Sequence, residues 1–317
     1  MGGCVNARLG TRRSALALRQ TEYVARAWRA ADPKASFTVV ELSSAGDDRP
    51  EAPLERMEGT GFFTATLERA LLEGAIDVAV HSYKDLPVEA TQGLVVAAVL
   101  ERGPAEDALC ARAGWTLARL PNGARVGTSS LRRTAQLRAL RPDLELLPLR
   151  GNVPTRLARV DRGELDGVVL AVAGLERLGW LERVSEIFAI ERLLPAPAQG
   201  AIAVQARAAD RDLLAALGAI DHLASRRAAL AEREVLHALR GGGSVPVGAH
   251  VRTTTARLEL RAGVFAPDGA TARVVDMSGD EPIALGRAAA RRLLEQGAGE
   301  ILAGIERAPR LAFGASS

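Results

Sequence analysis

From residue 7 to residue 207, short apolar strand-like runs alternate with amphipathic helical stretches, and most of the runs end in a glycine or a polar cluster. Residues 7–10 (ARLG) form a strand that ends in glycine, and Ser14 can cap the helix that follows, with Leu16, Leu18, Val24 and Trp28 among its apolar positions. Residues 37–42 (FTVVEL) are β-branched and strand-like. Phe62, Phe63, Leu67, Leu71 and Leu72 fall at helical spacing over 62–73, and residues 76–82 and 94–100 are apolar strands. The pattern restarts with strands at 125–130, 144–150, 166–174 and 200–207, the first three each leading into a helix. Such alternation predicts an α/β fold with two parallel or mixed sheets covered by helices. From about residue 219 the texture changes. A long amphipathic helix (221–239), the glycines Gly241, Gly242 and Gly243, alternating strands (249–276) and a helix (282–296) predict a small α+β unit.

Composition narrows the function. Over 317 residues, 48% are hydrophobic and 25% charged, which excludes disorder, and a net charge of +3 with 3% aromatics argues against a nucleic-acid surface. The longest apolar runs, such as 168–175, are too short to span a bilayer, and the N-terminal stretch lacks the apolar centre of a signal peptide. A cytoplasmic protein without nucleic-acid or membrane partners is expected. The two cysteines, Cys4 and Cys110, form no CxxC, and the four histidines have no metal-ligand spacing. Only Lys34 and Lys84 among the 41 basic residues are lysines, a bias that suits a GC-rich genome.

The polar residues cluster where strands end: HSYKD (81–85), GTSSLRR (127–133) and LRGNVPTR (149–156). Open α/β sheets bind ligands beyond the carboxyl ends of their strands. Glycine and hydroxyl residues at a helix start offer N–H groups to an anion, and arginine offers a two-pronged fork to a carboxylate. Arg12, Arg132, Arg133, Arg150, Arg156 and Arg177 all sit at such junctions, which points to a site for several carboxylates. Asp85 is the only carboxylate in HSYKD. It is either one half of a surface ion pair with Lys84, or an acid in a cationic cleft that moves a proton and stabilises a developing cation.

The motifs RLGTRRSALALRQ (8–20), DVAVHSYKDLP (77–87), VGTSSLRRTAQL (126–137), LRGNVPTRL (149–157), LAVAGLERLG (170–179), PAPAQGAIAV (195–204) and LRGGGSVPVGAH (239–250) resemble, in order and over nearly the whole chain, the porphobilinogen deaminase (hydroxymethylbilane synthase) family. The resemblance implies two α/β domains like those of periplasmic binding proteins, joined by a hinge, plus a small α+β domain. The implied domains are 1–100 with 200–218, 101–199, and 219–317. It implies a monomer that joins porphobilinogen units head to tail into a linear tetrapyrrole, releasing ammonia at each addition. It implies Asp85 as the catalytic acid. It also implies Arg12, Ser14, Ser82, Lys84, Thr128, Ser130, Arg132, Arg133, Arg150, Arg156 and Arg177 as holders of pyrrole acetate and propionate groups, with Gln199 and Gly200 at the return crossing between domains.

Two departures stand against that resemblance. The family carries a dipyrromethane cofactor on a cysteine in an L-x-G-G-C-x-V-P motif; here residues 239–246 read LRGGGSVP, with Gly243 at that place. A glycine forms no thioether, and the hydroxyl of Ser244 is a weak nucleophile at neutral pH. No covalent dipyrromethane is therefore expected, although an oligopyrrole can still be held non-covalently. In RMEGTGFF (56–63) Thr60 stands where the family has lysine, with Glu58 two residues earlier. Three readings stay open: a catalyst that condenses porphobilinogen or a close pyrrole without a covalent primer, a conventional synthase disabled at its anchor, and a non-catalytic pyrrole-carboxylate binder. Retention of Asp85 and the arginines favours the first.

Overall fold

The computed structural model of the chain describes residues 6–43, 64–239, 245–255 and 257–307. The stretches around Thr60 and Gly243, and Cys4, lie outside them. The chain opens with β1 (Asn6–Arg12), α1 (Ala15–Ala31), β2 (Ser36–Leu42), α2 (Ala65–Leu72), β3 (Val78–Ser82) and β4 (Leu94–Val99). It crosses to β5 (Asp107–Ala111), β6 (Arg125–Gly127), α3 (Leu131–Leu140), β7 (Glu145–Leu147), α4 (Val153–Asp161), β8 (Gly167–Ala171), α5 (Val172–Leu178) and β9 (Glu186–Ile187). It then returns as β10 (Ile202–Arg207) and α6 (Arg211–Gly218).

The two sheets share one design. The first runs β2-β1-β3-β10-β4 and the second β7-β6-β8-β5-β9. In each, the first three strands are parallel and the fourth is antiparallel to both its neighbours. That fourth strand, β10 or β5, is the one delivered by a crossing from the other sheet. The sheets are thus mixed, and each is closed by a strand from the crossing.

Local chemistry explains the elements. Ser14 caps α1 by accepting from the Ala17 N–H at 3.3 Å, and Ala17, Gln20, Thr21, Val24, Ala25 and Trp28 form its buried face. Asn152 caps α4 in the same way, accepting from Thr155 at 3.0 Å, with Pro154 in the first turn where its missing N–H costs nothing. The central strands β3 and β8 are buried along nearly their whole length. The sequence pattern misses β5 and β9. Residues 107–111 (DALCA) contain no β-branched residue and β9 has two residues, so only pairing with a neighbour and burial make them strands.

The last unit packs α7 (Leu223–Ala238) and α8 (Pro282–Glu295) against the antiparallel sheet β11 (Val247–Thr253), β12 (Leu258–Phe265) and β13 (Ala272–Gly279). A further helix, α9 (Ala298–Arg307), follows α8.

The two crossings run side by side. The Gly103 N–H donates to the Gly200 carbonyl at 3.2 Å, and a Cβ at Gly200 would lie 2.5 Å from the Gly103 oxygen. Gly200 also has φ of +87°, so glycine is required there twice over. The buried Glu232 of α7 fastens both crossings to the last unit. Its carboxylate accepts from Arg102 Nη1 and Nη2 at 2.6 and 3.0 Å, and from the backbone N–H of Ala198 and of Val251, each at 2.7 Å.

Candidate active site

Asp85 lies on a single 3-10 turn, Tyr83–Asp85, directly beyond the carboxyl end of β3. Its side chain is exposed. Among the described residues its carboxylate makes no hydrogen bond or ion pair, though it acts electrostatically on Lys84 and Arg156. The pairing with Lys84 read from sequence is not formed: Lys84 Nζ donates instead to Gln199 Oε1 at 3.2 Å.

Lys84, Arg133 and Arg156 face one small pocket of about 100 Å³, together with Gln20, Ser82, Arg177 and Gly200. The pocket therefore draws on α1, β3, α3, α4, α5 and the return crossing, and it lies between the two sheets. Burial pulls the Lys84 ammonium down to about 8; the nearby Asp85 opposes this and Arg133 adds to it. Burial likewise draws the Arg156 guanidinium down to about 10, and Arg156 Nε donates to the Gly151 carbonyl at 2.8 Å. Arg177 reaches the Gly200 carbonyl at 2.5 Å, and its pKa is lowered by burial.

Arg132 and Arg133 are not free forks awaiting a ligand. Both side chains turn inward onto Asp107, at 2.8 and 2.6 Å, and donate further to the carbonyls of Leu194 and Val169. Gln199 Nε2 joins the same carboxylate at 2.8 Å. Burial alone would raise the Asp107 pKa, but the two guanidiniums outweigh it and hold the carboxyl ionised, well below its usual range. The Nε–H groups of both arginines remain buried without a partner among the described residues. For Arg133, which borders the pocket, this is an unmet donor close to the cavity.

The other expected residues take supporting places. Ser82 accepts from Gln20 Nε2 at 2.8 Å. Buried Thr128 accepts from the Ser130 N–H at 3.2 Å, and Ser130 caps α3 by accepting from Arg133 N–H at 3.4 Å. Arg12 ends β1, within electrostatic reach of the buried His81, whose ring burial lowers to about 4. Arg150 is half-buried, three residues beyond β7.

Sequence reasoning missed Asp107, Gln20 and Arg233. Nothing local marks Asp107 or its partners, which lie 25, 26 and 92 positions away.

The site's residues suit a polycarboxylate such as the family's dipyrromethane group. The pocket is cationic, with a buried unmet N–H at its edge, and Lys84, Arg133 and Arg156 are the residues that would hold carboxylates there. A thioether has no candidate among the described residues, because the Cys110 thiol is buried in β5 and pushed up to about 11 by that burial.

Residues 7–215 match the family described as "Porphobilinogen deaminase, dipyromethane cofactor binding domain", and residues 226–295 match "Porphobilinogen deaminase, C-terminal domain". The porphobilinogen deaminase of Desulforudis audaxviator (strain MP104C) is 49% identical over 297 residues, covering 93% of this chain and 96% of its own. That of Thermobifida fusca (strain YX) is 48% identical over 308 residues, covering 94% and 96%. Among solved structures, a YaeC-family lipoprotein from Enterococcus faecalis V583 superposes with a TM-score of 0.42 at 14% identity, covering 68% of this chain and 91% of its own. With two matched domains and relatives this similar over almost their full length, the chain belongs to the porphobilinogen deaminase family.

Proposed function

We propose that the protein deaminates porphobilinogen, or a close pyrrole, and condenses the units into a linear oligopyrrole without a covalently anchored primer. The observation that carries this reading is Asp85. It is an exposed carboxylate with no hydrogen-bond or ion-pair partner among the described residues, and its charge acts on Lys84 and Arg156 of the cationic pocket. A protein that only bound carboxylates would gain nothing from a negative charge there.

The chemistry suits these groups. The substrate's C–N bond breaks, its amine leaves as ammonia, and the electron pair of the pyrrole nitrogen produces an azafulvenium cation. The free α-carbon of a second pyrrole attacks the exocyclic methylene carbon and then loses its proton. Asp85 stabilises each cation electrostatically and accepts the proton, while Lys84 and Arg156 neutralise the acetate and propionate groups and Arg133 offers them its unmet Nε–H. A dipyrromethane group, when bound, supplies the first pyrrole carbon to be extended. The 100 Å³ pocket is small beside the roughly 300–1,000 Å³ of typical ligand sites, so the two sheets must part about the crossings to admit a substrate.

Gly243 stands where the family's cysteine carries its cofactor, which motivates the primer-free part of the reading. A covalent primer keeps a growing chain at high effective concentration; without one, chains dissociate between additions and shorter products accumulate.

The test is mass spectrometry. The purified protein is expected at the mass of the bare polypeptide, and its porphobilinogen products at chain lengths below or equal to four pyrroles. Asp85→Asn is expected to cut turnover by ~10²–10⁴-fold with affinity kept within a few-fold. Gly243→Cys is expected to acquire a pyrrole adduct and shift products toward the tetrapyrrole. A dipyrrole adduct on the unmodified chain would sink the primer-free reading. Full activity in Asp85→Asn would remove Asp85 from the chemistry.

A further inference from the structure

A second and larger cavity, about 780 Å³, shares Arg177 with the reaction pocket. Its walls come from the outer face of α1, from β2, from the first crossing and from the C-terminal end of α5. It is the size of a small-molecule site, which the pocket beside Asp85 is not.

Its lining combines three kinds of surface. Tyr23, 43% exposed, provides flat apolar area, whereas Phe37 is half-buried and packs on Trp28 with ring centres 4.9 Å apart. The Arg26 guanidinium lies 5.5 Å from the Tyr23 ring centre and that of Arg29 lies 5.1 Å from Phe37. Both arginines are exposed and make no ion pair among the described residues. Glu101 and Glu176 also line it, are exposed and make no ion pair among the described residues, though Glu176 acts electrostatically on its neighbour Arg177. Opposite charges that line one cavity without pairing leave both signs available to a ligand.

We infer that this crevice is a second binding site, taking a flat ring that carries both carboxylate and ammonium groups. Arg26 and Arg29 receive the carboxylates, Glu101 or Glu176 the ammonium, and the exposed Tyr23 ring the flat face. Porphobilinogen has this chemistry, with two carboxylates and an aminomethyl group on a pyrrole. Resting on the function proposed above, the crevice is a waiting site for the next unit, one residue, Arg177, away from the reaction pocket.

Equilibrium dialysis of the Asp85→Asn protein with porphobilinogen tests this, because turnover is suppressed while both sites remain. Two equivalents per chain are expected. The double variant Arg26→Ala/Arg29→Ala is expected to weaken one equivalent roughly ten-fold and spare the other, which Arg156→Ala weakens instead. Glu101→Gln/Glu176→Gln is expected to weaken the same equivalent as the arginine pair. A pyrrole dicarboxylate without the aminomethyl group is expected to bind at one site only. All four crevice residues are exposed, and an unchanged melting temperature verifies folding. A single equivalent indifferent to both crevice variants overturns this inference and leaves the proposed function standing. Equal binding of the analogue at both sites removes Glu101 and Glu176 and overturns the ammonium assignment. Absence of any binding overturns the proposed function and this site with it.

Discussion

The guanidinium of Arg233 lies 4.5 Å from the centre of the Tyr83 ring, and its nitrogens donate to the carbonyls of Tyr83, Leu86 and Pro87 at 3.0, 2.9 and 2.5 Å. Arg233 belongs to α7 in the last unit, whereas Tyr83 opens the turn that carries Asp85. The aim of the proposed catalytic acid is therefore set by a side chain 148 positions away.

Arg233→Lys keeps the charge and loses the planar fork, so one ammonium must replace contacts to three carbonyls. We expect kcat to fall on the order of 10–100-fold with little change in KM, since small misplacements of reacting groups are costly. Steady-state kinetics with porphobilinogen checks this. An unchanged kcat would show that the turn holds its own geometry.

Glu232→Gln removes the carboxylate charge that pairs with Arg102 and weakens the bond network joining both crossings to α7. Glu232 is fully buried and Arg102 nearly so, and breaking such a pair by removing one partner costs about 3–5 kcal/mol. Urea unfolding measures the loss. A change below about 1 kcal/mol would mean that water reaches Arg102 in place of the carboxylate.

Gly200→Ala forces a side chain into a φ of +87° and places Cβ against the Gly103 and Pro104 oxygens, at 2.5 and 2.6 Å. Since the obstructing atoms are backbone, the crossings must separate. A destabilisation of at least ~1–3 kcal/mol is expected. A thermal midpoint equal to that of the unmodified protein would show that the crossings move apart freely.

Lys84 gives a pH test. Its pKa is lowered to about 8 in the folded protein, against 10.5 as its ordinary value, first by burial and then by Arg133 and Arg132, while Asp85 and Asp107 oppose the shift. Between about 8 and 10.5 the unfolded chain therefore binds a proton that the folded chain has released, so this residue makes stability rise with pH across that window. Carboxylate binding should go the other way, weakening above about 8 as the ammonium discharges. Lys84→Arg is expected to remove that alkaline weakening. Calorimetric titration of porphobilinogen binding over this range decides it; a limb that persists in the arginine variant belongs to another group.

Ser82, Lys84, Arg133, Arg156 and Arg177 are each named by motifs at junctions, and all of them meet in one pocket with Gly200. Direction was not legible. Arg132 and Arg133 look in sequence like two more forks for a ligand, yet Asp107 turns both inward, because a buried carboxylate at the start of β5 needs compensating charge. Lys84 faces Gln199 rather than its neighbour Asp85, since successive residues on a 3-10 turn point to different sides.

What the amino-acid sequence determined by itself was local: the α/β alternation, the Ser14 and Asn152 helix caps, the polar motifs at strand ends and the glycine at position 243. Each follows from periodicity, backbone preference or side-chain chemistry over a few residues. Tertiary structure alone decided that DALCA (107–111) is a strand, that β5 and β10 run against their neighbours, and that Glu232 ties both crossings to the last unit. It also decided that Asp85 is left unpaired among the described residues while Lys84, Arg133, Arg156 and Arg177 are each engaged by another protein group. Those outcomes depend on which charges become buried together, and burial is a property of the packed chain that no short stretch of sequence contains.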